Sequence, residues 1–82
     1  MASARALLAG HAAGYSAIVA SGSVHPARKL KIMCSTRYFA HVAAHIHMHA
    51  EAAQFHALDL ELVALLGSID DAVYQTHIKW LD

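Results

Sequence analysis

The sequence predicts an all-α fold, and three observations predict it. Alanine fills 18 of the 82 positions, and it is the strongest helix former. One proline and four glycines leave too few turn residues for a many-stranded β fold. Between Ala27 and Leu66 there is neither glycine nor proline, so nothing in that stretch obliges a helix to stop. A chain of this length forms one helical domain, residues 1–82.

The first helix is expected from an N-cap at Ser3 to Ala20. Its apolar face reads Leu8, Ala12, Tyr15 and Val19, with Leu7, His11, Gly14 and Ile18 beside it. Gly10 and Gly14 lie one turn apart and lower helix propensity; their use is to let a partner helix approach closely. His11 suits the edge of a core. The chain then breaks at Ser21–Pro26. Gly22 fits the left-handed residue after a helix end, and Pro26 fits the first turn of the next helix. His25 stands at that helix's N-terminus, where the dipole favours the neutral ring.

From Ala27 to Leu66 one long central helix is expected, about 60 Å if continuous. Cys34-Ser35-Thr36 is its weakest point, and Cys34 reads as a small buried hydrophobe. The second break is Leu66–Asp71. Gly67 ends the helix, Ser68 caps the next, and Asp71 stands three residues on, as in a capping box. The last helix offers Ile69, Val73, His77 and Trp80 on one face. The two breaks resemble each other: Gly22-Ser23-Val24-x-x-Ala27 recurs 45 residues later as Gly67-Ser68-Ile69-x-x-Ala72, and His11-Ala12 recurs as His56-Ala57. Shared turn chemistry explains most of this, and a duplicated helical hairpin is the alternative.

The chemical lead lies in the central helix. Five of the eight histidines, His41, His45, His47, His49 and His56, fall within sixteen residues. On a continuous helix His41, His45 and His49 form one row, and His56 rejoins it two turns later. Pairs at i and i+4 can grip one divalent ion, and imidazole suits Zn, Ni and Cu. The rival reading is a strand in which His45, His47 and His49 share a face. The flanking alanines, Glu51, Gln54 and the Leu60-Glu61-Leu62 run favour the helix. The expected metal ligands are therefore His41, His45 and His49, with His25 and His56; a further ligand is open to His11, His77, Cys34, Glu51 or Asp59. Glu51, one turn beyond His47, is read as a solvated helix charge or a local partner for that ring.

Composition bears on assembly. Hydrophobic residues make up 57% of the chain and charged residues 15%, more apolar surface than so short a monomer hides. Residues 1–41 carry five basic side chains and no acid, giving +5. Residues 42–82 carry six acids against Lys79 alone, giving −5. Two long helices paired antiparallel would set the basic 28–37 segment of one against the acidic 51–71 segment of the other. The expected architecture is short helix, long central helix, short helix, forming an antiparallel helical bundle through homodimerisation.

Other classes are disfavoured. No apolar run reaches the ~18 residues of a membrane span. The single Cys34 excludes an internal disulfide framework and suits a reducing compartment, so a cytoplasmic location is expected. The basic cluster Arg28, Lys29, Lys31 and Arg37 lacks interleaved aromatics apart from Tyr38, which argues against a nucleic-acid partner. No phosphate loop, nucleophile elbow or paired-carboxylate motif supports an enzyme. The expected function is a small non-enzymatic binding module with divalent metal as its leading chemistry. The alternative is a metal-free protein-interaction module, regulatory or inhibitory, that responds to pH through its histidines.

Overall fold

The computed structural model describes residues 4–79, and all its elements are helices: α1 (Ala4–Ser21), α2 (Pro26–His45), α3 (His49–Leu66) and α4 (Asp71–Ile78). Both breaks read from the sequence are present. Gly22 and Gly67 adopt φ of 73° and 89°, and each donates its N–H to the carbonyl four residues back, Ile18 and Val63. Pro26 opens α2 as expected, and His25 is its N-cap, with Nδ1 accepting from the Ala27 amide at 3.2 Å.

The long central helix is not continuous. It ends at His45, and α3 begins at His49. His47 donates its N–H to the Ala44 carbonyl at 3.2 Å, and Met48 donates to the Ala43 carbonyl at 2.8 Å. This is a Schellman ending, with His47 at φ 62° in the left-handed position that glycine usually holds. Ala43 is buried and Met48 half-buried, as the apolar pairing of that motif requires. A left-handed non-glycine residue costs about 1–2 kcal/mol. The reversal it makes allows Met33, Phe55, Leu58 and Leu62 to be buried, each worth about 1.5–3 kcal/mol. Burial wins, and the helix folds back on itself.

The pairs Met33/Leu62, Arg37/Asp59 and Phe39/Phe55 meet in opposite sequence order, so α2 and α3 form an antiparallel hairpin. The basic and acidic segments expected to pair between two chains therefore pair within one. Helix α1 lies mainly on α3 and also reaches α2, and α4 lies on α2. Met33, Leu58 and Leu62 form the buried centre, with Tyr15, Ile32, Val63, Leu66 and Ile69 packed around it.

Three smaller expectations change. The packed face of α1 is Leu7, His11, Gly14, Tyr15 and Ile18, whereas Ala12 and Val19 are exposed, because α3 approaches from the His11 side. Helix α4 is capped by Asp70, whose Oδ1 accepts from the Ala72 amide at 2.8 Å. Ser68 does not cap it, since residues 67–70 stay outside any helix and bring Ile69 to the core. The buried residue of α4 is Tyr74, and Val73 is exposed. Ser3 and Trp80 lie outside the described residues.

Helix boundaries repeat with the turns. Helix α1 starts and ends 45 residues before α3, and α2 starts 45 before α4. The caps His25 and Asp70 have φ/ψ of −64/138° and −66/139°. Among the described residues no helix is long and apolar enough to cross a membrane.

Candidate functional site

The α2–α3 hairpin leaves a cleft of about 550 Å³ along one side. From α2 it is lined by Arg37, Ala40, His41 and Ala44, and from α3 by Ala52, Ala53, His56 and Asp59. These positions follow helical spacing on each helix, so one stripe of α2 faces one stripe of α3. The alanines keep the floor shallow and wide. His41 and His56 stand on opposite helices, and both are exposed.

One end of the cleft carries a buried polar group. Asp59 is 7% exposed. Its Oδ2 accepts from Arg37 Nε at 3.4 Å, while its Oδ1 is buried with no hydrogen-bond partner among the described residues. A buried carboxylate oxygen without a donor is costly, about 1–3 kcal/mol or more. Arg37 in turn lies 5.3 Å from the centroid of the Tyr74 ring, a cation–π arrangement that holds the guanidinium in place. The rings of Tyr74 and His41 stand 6.5 Å apart. Burial pushes the Tyr74 hydroxyl up from its ordinary value, against the opposing pull of Arg37. Burial likewise raises the Cys34 thiol, which stays protonated and inert.

The helix break redistributes the predicted ligands. His41 and His45 remain on α2; His49 and His56 belong to α3. The single row of imidazoles is thus cut in two, because His47 reverses the chain between its halves. His49 lies near His47, ring centroids 5.8 Å apart, away from the cleft lining. His25 is sixteen residues before His41, about 24 Å along the α2 axis, with its Nδ1 engaged as a cap. Of the five, His41 and His56 line this cleft together. Among the described residues no three His, Cys, Asp or Glu side chains are gathered closely enough to hold a metal ion.

Sequence reasoning offers Asp59 only as one of several further ligands, and it does not find Arg37 and Tyr74 as site residues. The opposite charges of Arg37 and Asp59 are visible in the sequence. Their pairing depends on the reversal at His47, which no glycine or proline announces. Glu51 faces Arg5 at 3.8 Å rather than His47, a pair too exposed on the arginine side to hold much.

On the opposite side of the hairpin, His11 joins α1 to both α2 and α3. Its Nδ1 donates to the Leu7 carbonyl at 2.9 Å, and its Nε2 meets Ser35 Oγ at 3.1 Å. The ring packs against Phe39 and Phe55, with centroids at 5.5 and 5.7 Å. Burial lowers its pKa below the ordinary histidine value, with the Leu7 hydrogen bond opposing. His11 is therefore the core-edge residue its position suggests. No protein-family profile, curated protein or solved structure matches this chain.

Proposed function

We propose that the chain is a small non-enzymatic, homodimeric binding module whose leading chemistry is capture of a divalent transition-metal ion in the α2–α3 cleft. The observation that carries this reading is a cleft lined by two imidazoles and by Asp59, whose carboxylate also has a buried oxygen without a donor among the described residues. A divalent cation supplies what that oxygen lacks. The three side chains do not meet at one point in the structure; His41 and His56 are exposed, and closing on an ion with Asp59 requires both rings to turn, while Arg37 holds the other carboxylate oxygen. Two nitrogens and one oxygen suit Zn, Ni or Cu and leave a coordination position open. His45, His49 and His25 have no part in this arrangement.

The test is thermal denaturation of untagged, chelator-treated protein with and without Zn. An ion at about 100 times its Kd stabilises by about 2.7 kcal/mol, several degrees in Tm for a chain this small. The rise is expected to vanish in His41→Ala and His56→Ala and to survive in His25→Ala and His49→Ala. Equal loss in all four variants, or no rise in the wild type, sinks the proposal.

A second reading has its own support. The outward side of α3 carries Ala57, Leu60, Ala64 and Leu65, with Leu60 57% exposed and Val73 on α4 43% exposed. So much apolar surface suits a protein partner and needs no metal. Loss of partner binding on Leu60→Ser, unchanged by chelator, is the signature of that reading.

A further inference from the structure

We infer that α2 and α3 exchange between two copies of this chain, giving an antiparallel dimer of continuous rods that opens at Ile46–Met48. This deepens the homodimer reading and is independent of metal capture.

The inference starts from the hinge. Residues 26–66 hold neither glycine nor proline after Pro26, and only three residues separate the end of α2 from the start of α3. Of these, His47 occupies the left-handed region at φ 62°, a conformation that L side chains adopt at a cost. Met48 begins α3 without a side-chain cap, so the first amides of that helix lack side-chain help. If Ile46, His47 and Met48 turn to right-handed helix, the strain at His47 ends. The orphan amides of α3 then gain i→i−4 carbonyl partners from the end of α2. Local energetics therefore favour the open rod; packing between α2 and α3, with α1 laid across both, holds the hairpin shut.

That packing survives exchange. Met33/Leu62, Arg37/Asp59 and Phe39/Phe55 pair antiparallel within one chain. Two rods lying antiparallel about a twofold axis form the same pairs twice, α2 of each copy against α3 of the other. Helix α1, which lies mainly on α3, and α4, which lies on α2, would each dock on the partner's rod. A short hinge under strain joining two helices that pack on each other is the usual setting for such exchange. The occupant of the exposed interface is thus a second copy of this chain, recognised by the contacts it already makes with itself. Concentration then decides between closed monomer and exchanged dimer.

Charge complementation tests this without ambiguity. In Arg37→Glu the pair becomes two carboxylates; in Asp59→Arg it becomes two guanidinium groups. Each variant alone is repulsive in the closed form and in its own exchanged dimer. When the two are mixed and refolded together, exchange sets the introduced carboxylate against the introduced guanidinium at one interface. The other interface keeps the native Arg37/Asp59 pair. The expected result is a one-to-one heterodimer by sedimentation, melting above either variant alone. Curves that merely add on mixing overturn the inference, and the test works even if each variant is unfolded by itself. In parallel, the dimer fraction of otherwise unaltered protein should rise in His47→Ala, which favours the rod, and fall in His47→Gly, which favours the turn. The reverse order also overturns it.

Discussion

His11 ties the stability of this molecule to pH. Burial lowers its folded pKa, while in the unfolded chain the ring keeps an ordinary value near 6.5. As pH falls through that value the unfolded state takes up a proton first, so stability falls with it. The loss is complete once pH passes below the folded pKa; above the unfolded pKa the contribution is fully present. Chemical denaturation between about pH 7.5 and 5 is expected to show a steeper loss in the wild type than in His11→Gln, which keeps a polar group opposite Ser35 but cannot titrate. Parallel pH profiles would assign acid sensitivity to the other histidines. At this same scale, the sequence discloses His11 as an edge residue and Cys34 as a buried one, since both follow from the size and polarity of a single side chain. It does not disclose Asp59 as buried, because an aspartate is buried only where a partner such as Arg37 reaches it, and that partner arrives from another helix.

Among the elements, α1 shows two glycines with different roles. A Cβ on Gly14 would stand 3.1 Å from Ile32 Cδ1, whereas one on Gly10 would meet nothing within 4 Å. Only Gly14 admits a close helix neighbour. Gly10→Ala is therefore expected to stabilise the fold by about 0.5–1 kcal/mol, the helix-propensity difference. Gly14→Ala gains the same propensity but must displace the end of Ile32, so it should gain less or turn destabilising. Denaturant midpoints of the two variants check the order. The end of α1, the start of α2 and the end of α3 are legible because Gly22, Pro26 and Gly67 each have one backbone task. The end of α2 is hidden because histidine fills the left-handed position there. The alternation of histidine with Ile46 and Met48 is the one trace of it, a pattern that a continuous helix does not need.

For the whole molecule, alanine content and scarce turn residues set the all-α class, and the structure has it. The number of helices differs because a long-range gain, burial of Phe55 and Leu62 against α2, outweighs local propensity. The radius of gyration, 12.1 Å, is close to the ~12 Å of a compact chain of this length. So few fully buried large side chains leave little reserve. Phe55, 1% exposed and packed with Phe39 and His11, is central to it. Phe55→Ala is expected to remove about 3–5 kcal/mol, against a total of roughly 4–12 kcal/mol for a domain of this size. Equilibrium urea titration should find that variant unfolding at a much lower midpoint, and a loss under about 1 kcal/mol would mean the aromatic cluster is peripheral.

The recurrence of glycine, extended cap and helix start at a fixed interval of 45 residues has a consequence for how such a chain can grow. In-frame copying of one such interval would bring its own punctuation and its own inward-facing stripe, and a new segment could stack on the last without redesign of the old. Tandem arrays are assembled in this way, with each added unit stabilised chiefly by the one before it.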